Sequence, residues 1–436
     1  MSLAMSLKGR GTAGSAARAA RVLSRFGATA SGMVRRLDRY DAITSEFDVR
    51  PTWPTTACVL ARHPQLLAEY AERGAELALH GLVHGDHAVM EVDEQCESIA
   101  SAAGIFERCG LRPVGFRGPY LRYNAATLQA LRALGLRYHC SQAVVFPVLD
   151  VDLPPAVRPG YELALQLYSA LDARTVAVTP RLRDGLVDIP VAVPDDEILI
   201  ERLGLHPDVR TAKWVAVLDL AYERGDIFTM QLHPERILEL EDALRATLTD
   251  ARRRQPAVWI TRLQEIASWW LRRSAFSLEV VRSGDRRCRV RLHADPDATL
   301  IVRGLAVPRS PWHGRDEVSL HAEFEAESSR IPMVAISRRS PPAVRDFLTE
   351  EGFALEVSDD REAYGAYVDV TAPEWSEVQV LEAIESSPGP LVRIWRWPFA
   401  SRCALAITGD IDAVTLRDFV SRSWETRRPR RVGARA

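Results

Sequence analysis

The sequence predicts an α/β fold built on a largely parallel sheet. Strand-like and helix-like segments alternate from Ser31 to about residue 275, the pattern of successive strand–helix units. The polar loops that follow the strands carry His80, His84, Arg117, Asp195, Asp196 and His233, and strand ends are where such folds keep their chemistry. The 436 residues suffice for two or three cores.

The elements follow in order. "SGMVRRLDRYDAI" (31–43) reads as an amphipathic helix, and "RPTWPTTACVL" as a buried strand, because β-branched and aromatic residues follow a proline. "HPQLLAEYAERG" is a helix ended by Gly74. "AELALHGLVHGDH" is a strand running into a loop. "EQCESIASAAGIFERCG" is a helix ended by Gly110. "PVGFRGPYLRYN" is a strand and loop, "AATLQALRALG" a helix, and "LRYHCSQAVV" a strand. After a less regular stretch come the strand "LVDIPVAVP", the helix "TAKWVAVLDLAYERG", the strand "DIFTMQLHP" and the helix "EDALRATLTDARRR". "AVWITRLQEIASWWLRR" reads as a closing helix.

Beyond it the character changes. Short alternating runs from Phe276 to Ile331 predict a small antiparallel β module, and 332–399 a compact α/β piece. Near the end, "CALAITGDIDAVTLRDF" (403–419) is an apolar strand leading into Asp410 and Asp412, then a helix.

Net charge is −2, so no global field points to nucleic acid. No apolar run is long enough to span a bilayer, and the start lacks a secretory pattern. The six cysteines (58, 96, 109, 140, 288 and 403) are scattered without a CxxC pair, as expected of reduced thiols in a cytoplasmic protein. Seven basic and no acidic residues occupy Met1 to Leu37, and the tail "RRPRRVGARA" is basic too. These ends read first as mobile solvated arms, with binding to an acidic surface, such as a membrane's, as the alternative; the N-terminal arm also has the composition of a transit peptide.

"HGLVHGDH" places His80 and His84 four apart, a spacing that converges two imidazoles on one divalent ion or simply marks two buried histidines. "GFRGPYLR", "PDD" after a strand and "QLHP" at another strand end complete a set that is hard to explain as core packing.

Taken in this order, these motifs resemble the polysaccharide deacetylases (the NodB-homology, carbohydrate esterase four family). "HGLVH" is similar to the family's second motif, "FRGPY" to the third, "DIPVAVPDD" to the fourth and "QLHP" to the fifth. The first motif, written TFDDG in the family, is missing ahead of "PTWPTTACVL"; "ALAITGDIDA" near the C-terminus resembles it, with Ile411 between the aspartates. The resemblance therefore implies a distorted (β/α) barrel, circularly permuted. The divisions expected are a basic arm (1–30), barrel (31–275), β module (276–331), α/β subdomain (332–399), relocated first strand and helix (400–425) and basic tail (426–436).

The resemblance also implies roles. His80, His84 and Asp412 would bind a divalent metal, zinc first, with cobalt, nickel or iron as alternatives. Asp410 would be the general base, oriented by Arg117, although which aspartate is base and which is ligand is left open by the altered spacing. His233 would be the acid, oriented by Asp195 or Asp196, and the Tyr120 backbone N–H would meet the oxyanion. The implied substrate is an N-acetylated amino sugar of a glycan or glycan precursor. Two rival readings are an amidase acting on a non-sugar C–N bond and a degenerate barrel used for binding. His87 and Asp86 are candidates for the rim, with a solvent-facing loop as the alternative; His139 is a candidate for the pocket lining and Tyr123 for substrate contact; the tryptophans of "WRWP" are candidates for stacking on sugar rings, with core packing as the alternative; Asn124 reads better as a helix cap. Oligomeric state is not legible.

Overall fold

The computed structural model describes residues 24–149 and 153–426. Most of the expected basic arm and nearly all of the basic tail lie outside the described residues.

The protein is mixed α/β. Numbering only the strands that build the barrel, these are β1 (Thr52–Thr55), β2 (Glu76–Leu79), β3 (Gly115–Phe116), β4 (Tyr138–His139), β5 (Ala143–Val145), β6 (Leu186–Asp188), β7 (Val191–Val193), β8 (Ile227–Gln231) and β9 (Cys403–Thr408). The main sheet runs β8-β9-β1-β2-β3-β4-β6, all parallel, with Arg181–Arg183 antiparallel at its edge. Two chain segments each supply two short strands. β4 gives way to β5 and β6 to β7, so that β5 and β7 pair in a second small sheet. β7 packs beside β8, and the sheet curls into a half-barrel. Pro190 sits in the second break, where it offers no N–H to a ladder.

The C-terminal strand lies deep in this sheet. β9 pairs with β8 over five residues, from Ile227↔Ala404 to Gln231↔Thr408. Its other edge meets Val258–Ile260 near its start and β1 at Thr408. All six residues of "CALAIT" are buried, which explains an unbroken apolar run in place of alternation.

Three readings change. "TACVL" leaves the strand after Thr55 and becomes the helix Ala57–Arg62; the Ala57 and Cys58 N–H groups donate to the Gly81 and Leu82 carbonyls, so tertiary contacts override β propensity. "AVWITRLQEIASWWLRR" divides into the strand Val258–Ile260 and the helix Leu263–Arg273; the edge of β9 captures its first residues. The irregular stretch after β5 contains the helix Arg158–Tyr168.

The barrel core is continuous from Met33 to Val414. A second cluster joins the helices Pro342–Glu350 and Glu377–Ser386 to the parallel strands around Ile331–Ile336. A third lies under the antiparallel strands between Ser277 and Glu327. Leu391–Ile394 pairs with Leu300–Arg303, linking the last two regions. The chain then passes through buried Trp395 and Trp397 back into the barrel at Cys403.

Candidate active site

Asp410 and Asp412 follow β9 in a tight turn. Gly409 is required there, because a Cβ would lie 1.8 Å from the Leu232 carbonyl oxygen. That close approach brings the ends of β8 and β9 together. Ile411 donates its N–H to the Pro54 carbonyl and is wholly buried. Both aspartates thus reach the same side, although the strand itself ends at Thr408.

Asp410 is fixed from two directions. Its Oδ1 accepts from Arg117 Nη1 at 2.9 Å and its Oδ2 from Gln231 Nε2 at 3.1 Å. Arg117 is fully buried and also donates to Thr408 Oγ1 (2.9 Å) and the Cys140 carbonyl (3.1 Å). Its five donors and planar fork suit such a junction, where a lysine could satisfy fewer acceptors.

Asp412 faces the histidines. Its Oδ1 lies 3.4 Å from His80 Nε2, and its Oδ2 lies 3.2 Å from His84 Nε2. His80 Nδ1 sits 2.8 Å from the Arg117 carbonyl. Nδ1 therefore carries the proton, and Nε2 presents a lone pair toward Asp412. His80 Nε2 and Asp412 Oδ1 are buried and have no hydrogen-bond partner among the described residues. Ligand atoms of His80, His84 and Asp412 lie within 4.8 Å of one another. Two imidazoles and one carboxylate with orphaned atoms converging on one point fit a divalent ion. Burial and the nearby Arg422 push the His84 ring toward its neutral form, the form a metal needs. Despite burial, the neighbouring His84 ring and Arg422 guanidinium hold the Asp412 carboxyl well below the usual range.

His233 completes the opposite wall, with Nε2 3.8 Å from Asp410 Oδ2. Its Nδ1 is 2.9 Å from Asp196 Oδ1, and its backbone N–H donates to Asp196 Oδ2 at 2.7 Å. Arg236 braces the same carboxylate at 2.9 Å. Burial opposes charge on His233, but Asp196 outweighs it and raises the ring to about 10. Asp195 is turned away: it accepts from Tyr168 Oη at 3.1 Å and the Ile198 N–H at 2.8 Å. Of the two adjacent acids, Asp196 alone touches His233, because neighbouring side chains point in different directions at this turn.

Tyr120 sits over His84 with ring centroids 4.4 Å apart. Its backbone is left-handed (φ 61°), as is that of Leu121 (φ 55°), a conformation uncommon for side chains of this size. Asn124 caps the helix Ala125–Ala133 and also accepts from Gln95. His139 lies 3.3 Å from Asp188 and against Tyr123. Asp86 binds Arg122 and caps a short turn, and His87 packs on Phe116. Trp395 and Trp397 are buried core residues with their indole N–H groups satisfied, so the "WRWP" rings face no solvent.

Three neighbours went unread in the sequence. Gln231 ends β8 two residues before His233, and that period was a usable signal. Arg236 follows His233 by three. Arg422, on the helix Leu416–Glu425, donates to Asp412 Oδ2 at 2.6 Å, and nothing in local sequence distinguished it from the surrounding basic tail.

The polysaccharide deacetylase family model matches residues 32–139, about a quarter of the chain, so the resemblance read from the motifs extends to this segment. A curated relative, the peptidoglycan deacetylase-like protein FGM2 of Gibberella zeae, is 31% identical over 91 residues, covering 21% of this chain and 27% of its own length. The chain thus spans about a quarter of that relative. Solved structures include a protein of Mycobacterium smegmatis described as a polysaccharide deacetylase (22% identity, 53% of this chain, 76% of that chain, TM-score 0.41). Another, from Pseudomonas aeruginosa and described likewise, has 19% identity, 55% and 73% coverage and a TM-score of 0.42.

Proposed function

We propose that this chain, whose residues 32–139 match the polysaccharide deacetylase family model, is a metal-dependent hydrolase that removes an N-acetyl group from an amino sugar. The observation that carries this reading is the convergence of His80, His84 and Asp412 beside Asp410 and His233.

A divalent ion held by His80, His84 and Asp412 would supply Lewis-acid polarisation of the acetamide carbonyl and would acidify water. The donor set suits zinc and also cobalt, nickel or iron. Asp410 takes the proton of the attacking water, with Arg117 and Gln231 fixing the orientation of its carboxylate. The backbone N–H of Tyr120 is the donor that the family resemblance assigns to the developing oxyanion. His233, kept protonated by Asp196, gives its proton to the departing nitrogen. The carbonyl carbon gains a bond to water oxygen and loses its bond to nitrogen, so the products are acetate and a free amine.

The order of strands supports circular permutation of the barrel. β9 occupies the position between β8 and β1 that an N-terminal first strand would fill. The ends of the described chain lie together: Phe26 stacks on Phe419 with centroids 5.4 Å apart, and the Leu416 N–H donates to the Gly27 carbonyl at 2.9 Å. Closeness of the ends at a surface is what permutation requires. On this reading the barrel (31–275), β module (276–331), α/β subdomain (332–399) and returning strand (400–425) are successive parts of one chain, with Leu300–Arg303 and Leu391–Ile394 pairing across the second and third.

The direct test is release of acetate and primary amine from N-acetylated chito-oligosaccharides and from N-acetylglucosamine-containing precursors by the zinc- or cobalt-loaded protein. Release that disappears in Asp410→Asn supports the reading. A metal-loaded protein that binds these sugars but releases no amine would instead make it a binding barrel.

A further inference from the structure

We propose that the protein has a second ligand site, at the opposite end of β9 from the catalytic aspartates, which takes a small hydroxylated anion such as a sugar phosphate or sugar acid. A cavity of about 310 Å³ lies where the barrel base, the β module and the α/β region meet. Its volume is at the lower end of that of small-molecule sites. Glu223, Arg315 and Glu382 stand exposed around it, and Arg393, Arg402 and Asp226 are buried residues of its lining.

The charge arrangement asks for an anion. Arg396 is neutralised by Asp226 at 3.0 Å and Glu351 at 2.6 Å, and Arg393 by Glu385 at 3.1 Å. Arg402 is 6% exposed and has no carboxylate within ion-pair distance among the described residues. Its guanidinium donates to the Glu223 backbone carbonyl. Arg393 and Arg402 also lie over the ring of Trp395, another residue of the lining, at 4.2 and 4.8 Å from its centroid. A buried cation without a counter-charge is costly. Burial together with the Arg393 and Arg396 charges depresses Arg402 to about 10.

The lining specifies the ligand further. Guanidinium groups match an oxyanion, and the exposed carboxylates of Glu223 and Glu382 match hydroxyl donors. Val378, Leu381 and Ala177 provide an apolar wall for a ring face. The six residues of β9 lie between Arg402 and the turn that carries Asp410, roughly 20 Å of strand at about 3.3 Å per residue, so this site is separate from the deacetylase centre and does not rest on that assignment.

Isothermal titration of the full-length protein with glucose 6-phosphate, glucuronate and inorganic phosphate tests the proposal. Wild type should bind glucose 6-phosphate or glucuronate with roughly millimolar affinity or better; which of the two binds tells phosphate from carboxylate. Arg402→Gln should weaken that binding about ten-fold or more, as should Leu381→Trp, which fills the cavity without touching a buried charge. Metal content should be unchanged in both. No heat with either sugar anion, or binding of inorganic phosphate alone, would overturn the proposal. So would equal sugar-anion affinity in wild type and Leu381→Trp if Arg402→Gln fails to fold.

Discussion

Arg117 and Asp410 form a buried ion pair at 2.9 Å across 293 residues of sequence. The guanidinium comes from the loop after β3, the carboxylate from the turn after β9. This contact ties the C-terminal strand to the part of the chain that the deacetylase family model matches.

Arg117→Met should leave Asp410 buried and short of its main counter-charge. Breaking one side of such a pair costs about 3–5 kcal/mol, and hydrogen bonds to Thr408 and Cys140 are lost with it. A large fall in the urea midpoint, together with loss of amine release, is expected. A variant as stable as wild type would mean the pair contributes no net stability.

Asp196→Asn removes the charge that holds His233 protonated. His233 stays charged up to about pH 10 in the wild type. Its pairing therefore stabilises the fold fully below the ordinary histidine value of about 6.5, and this stability fades as pH rises through 10. In the variant, burial acts unopposed and the ring pKa falls. The alkaline limb of the pH–rate profile should move to lower pH, and histidine NMR titration should show the same displacement. An unmoved limb would remove His233 from the role of acid.

Arg422→Met tests how the Asp412 carboxylate is held. Arg422 donates to Oδ2, which also faces His84, and leaves Oδ1 beside His80. Outer partners that orient a ligand typically contribute about 10–100-fold in metal affinity. Weaker zinc binding by competition titration is expected. Tighter binding would show that the guanidinium acts chiefly as a competitor of the ion.

Legibility followed chemistry rather than geometry. β9 stood out because an apolar run ended in two carboxylates, and the histidine, arginine and "QLHP" motifs kept their order along successive strands. The choice between Asp195 and Asp196 was not readable, since adjacent residues at a turn diverge in direction. Arg422 was hidden because its role depends on how the last helix packs, and Val258–Ile260 because a three-residue strand carries no period of its own. The separation of the β regions into two cores was equally hidden: Leu391–Ile394 finds its partner ninety residues earlier, at Leu300–Arg303.

Removal of everything after Ala400 should abolish folding, because β9 is paired on both edges and wholly buried. Moving residues 400–426 ahead of Ser24 through a short Gly/Ser linker should restore a folded protein with wild-type circular dichroism, since Phe26 and Phe419 already touch. A folded, cooperative truncation would contradict the position of β9.

The most direct test of the central claim, that the C-terminal turn completes a metal centre begun by His80 and His84, is metal content by elemental analysis of wild type beside Asp412→Ala. The account predicts about one transition-metal ion per chain in wild type, as for a single two-histidine, one-carboxylate site, and a much reduced content in the variant. Equal metal in both proteins, or none in either after zinc or cobalt is added, would contradict it.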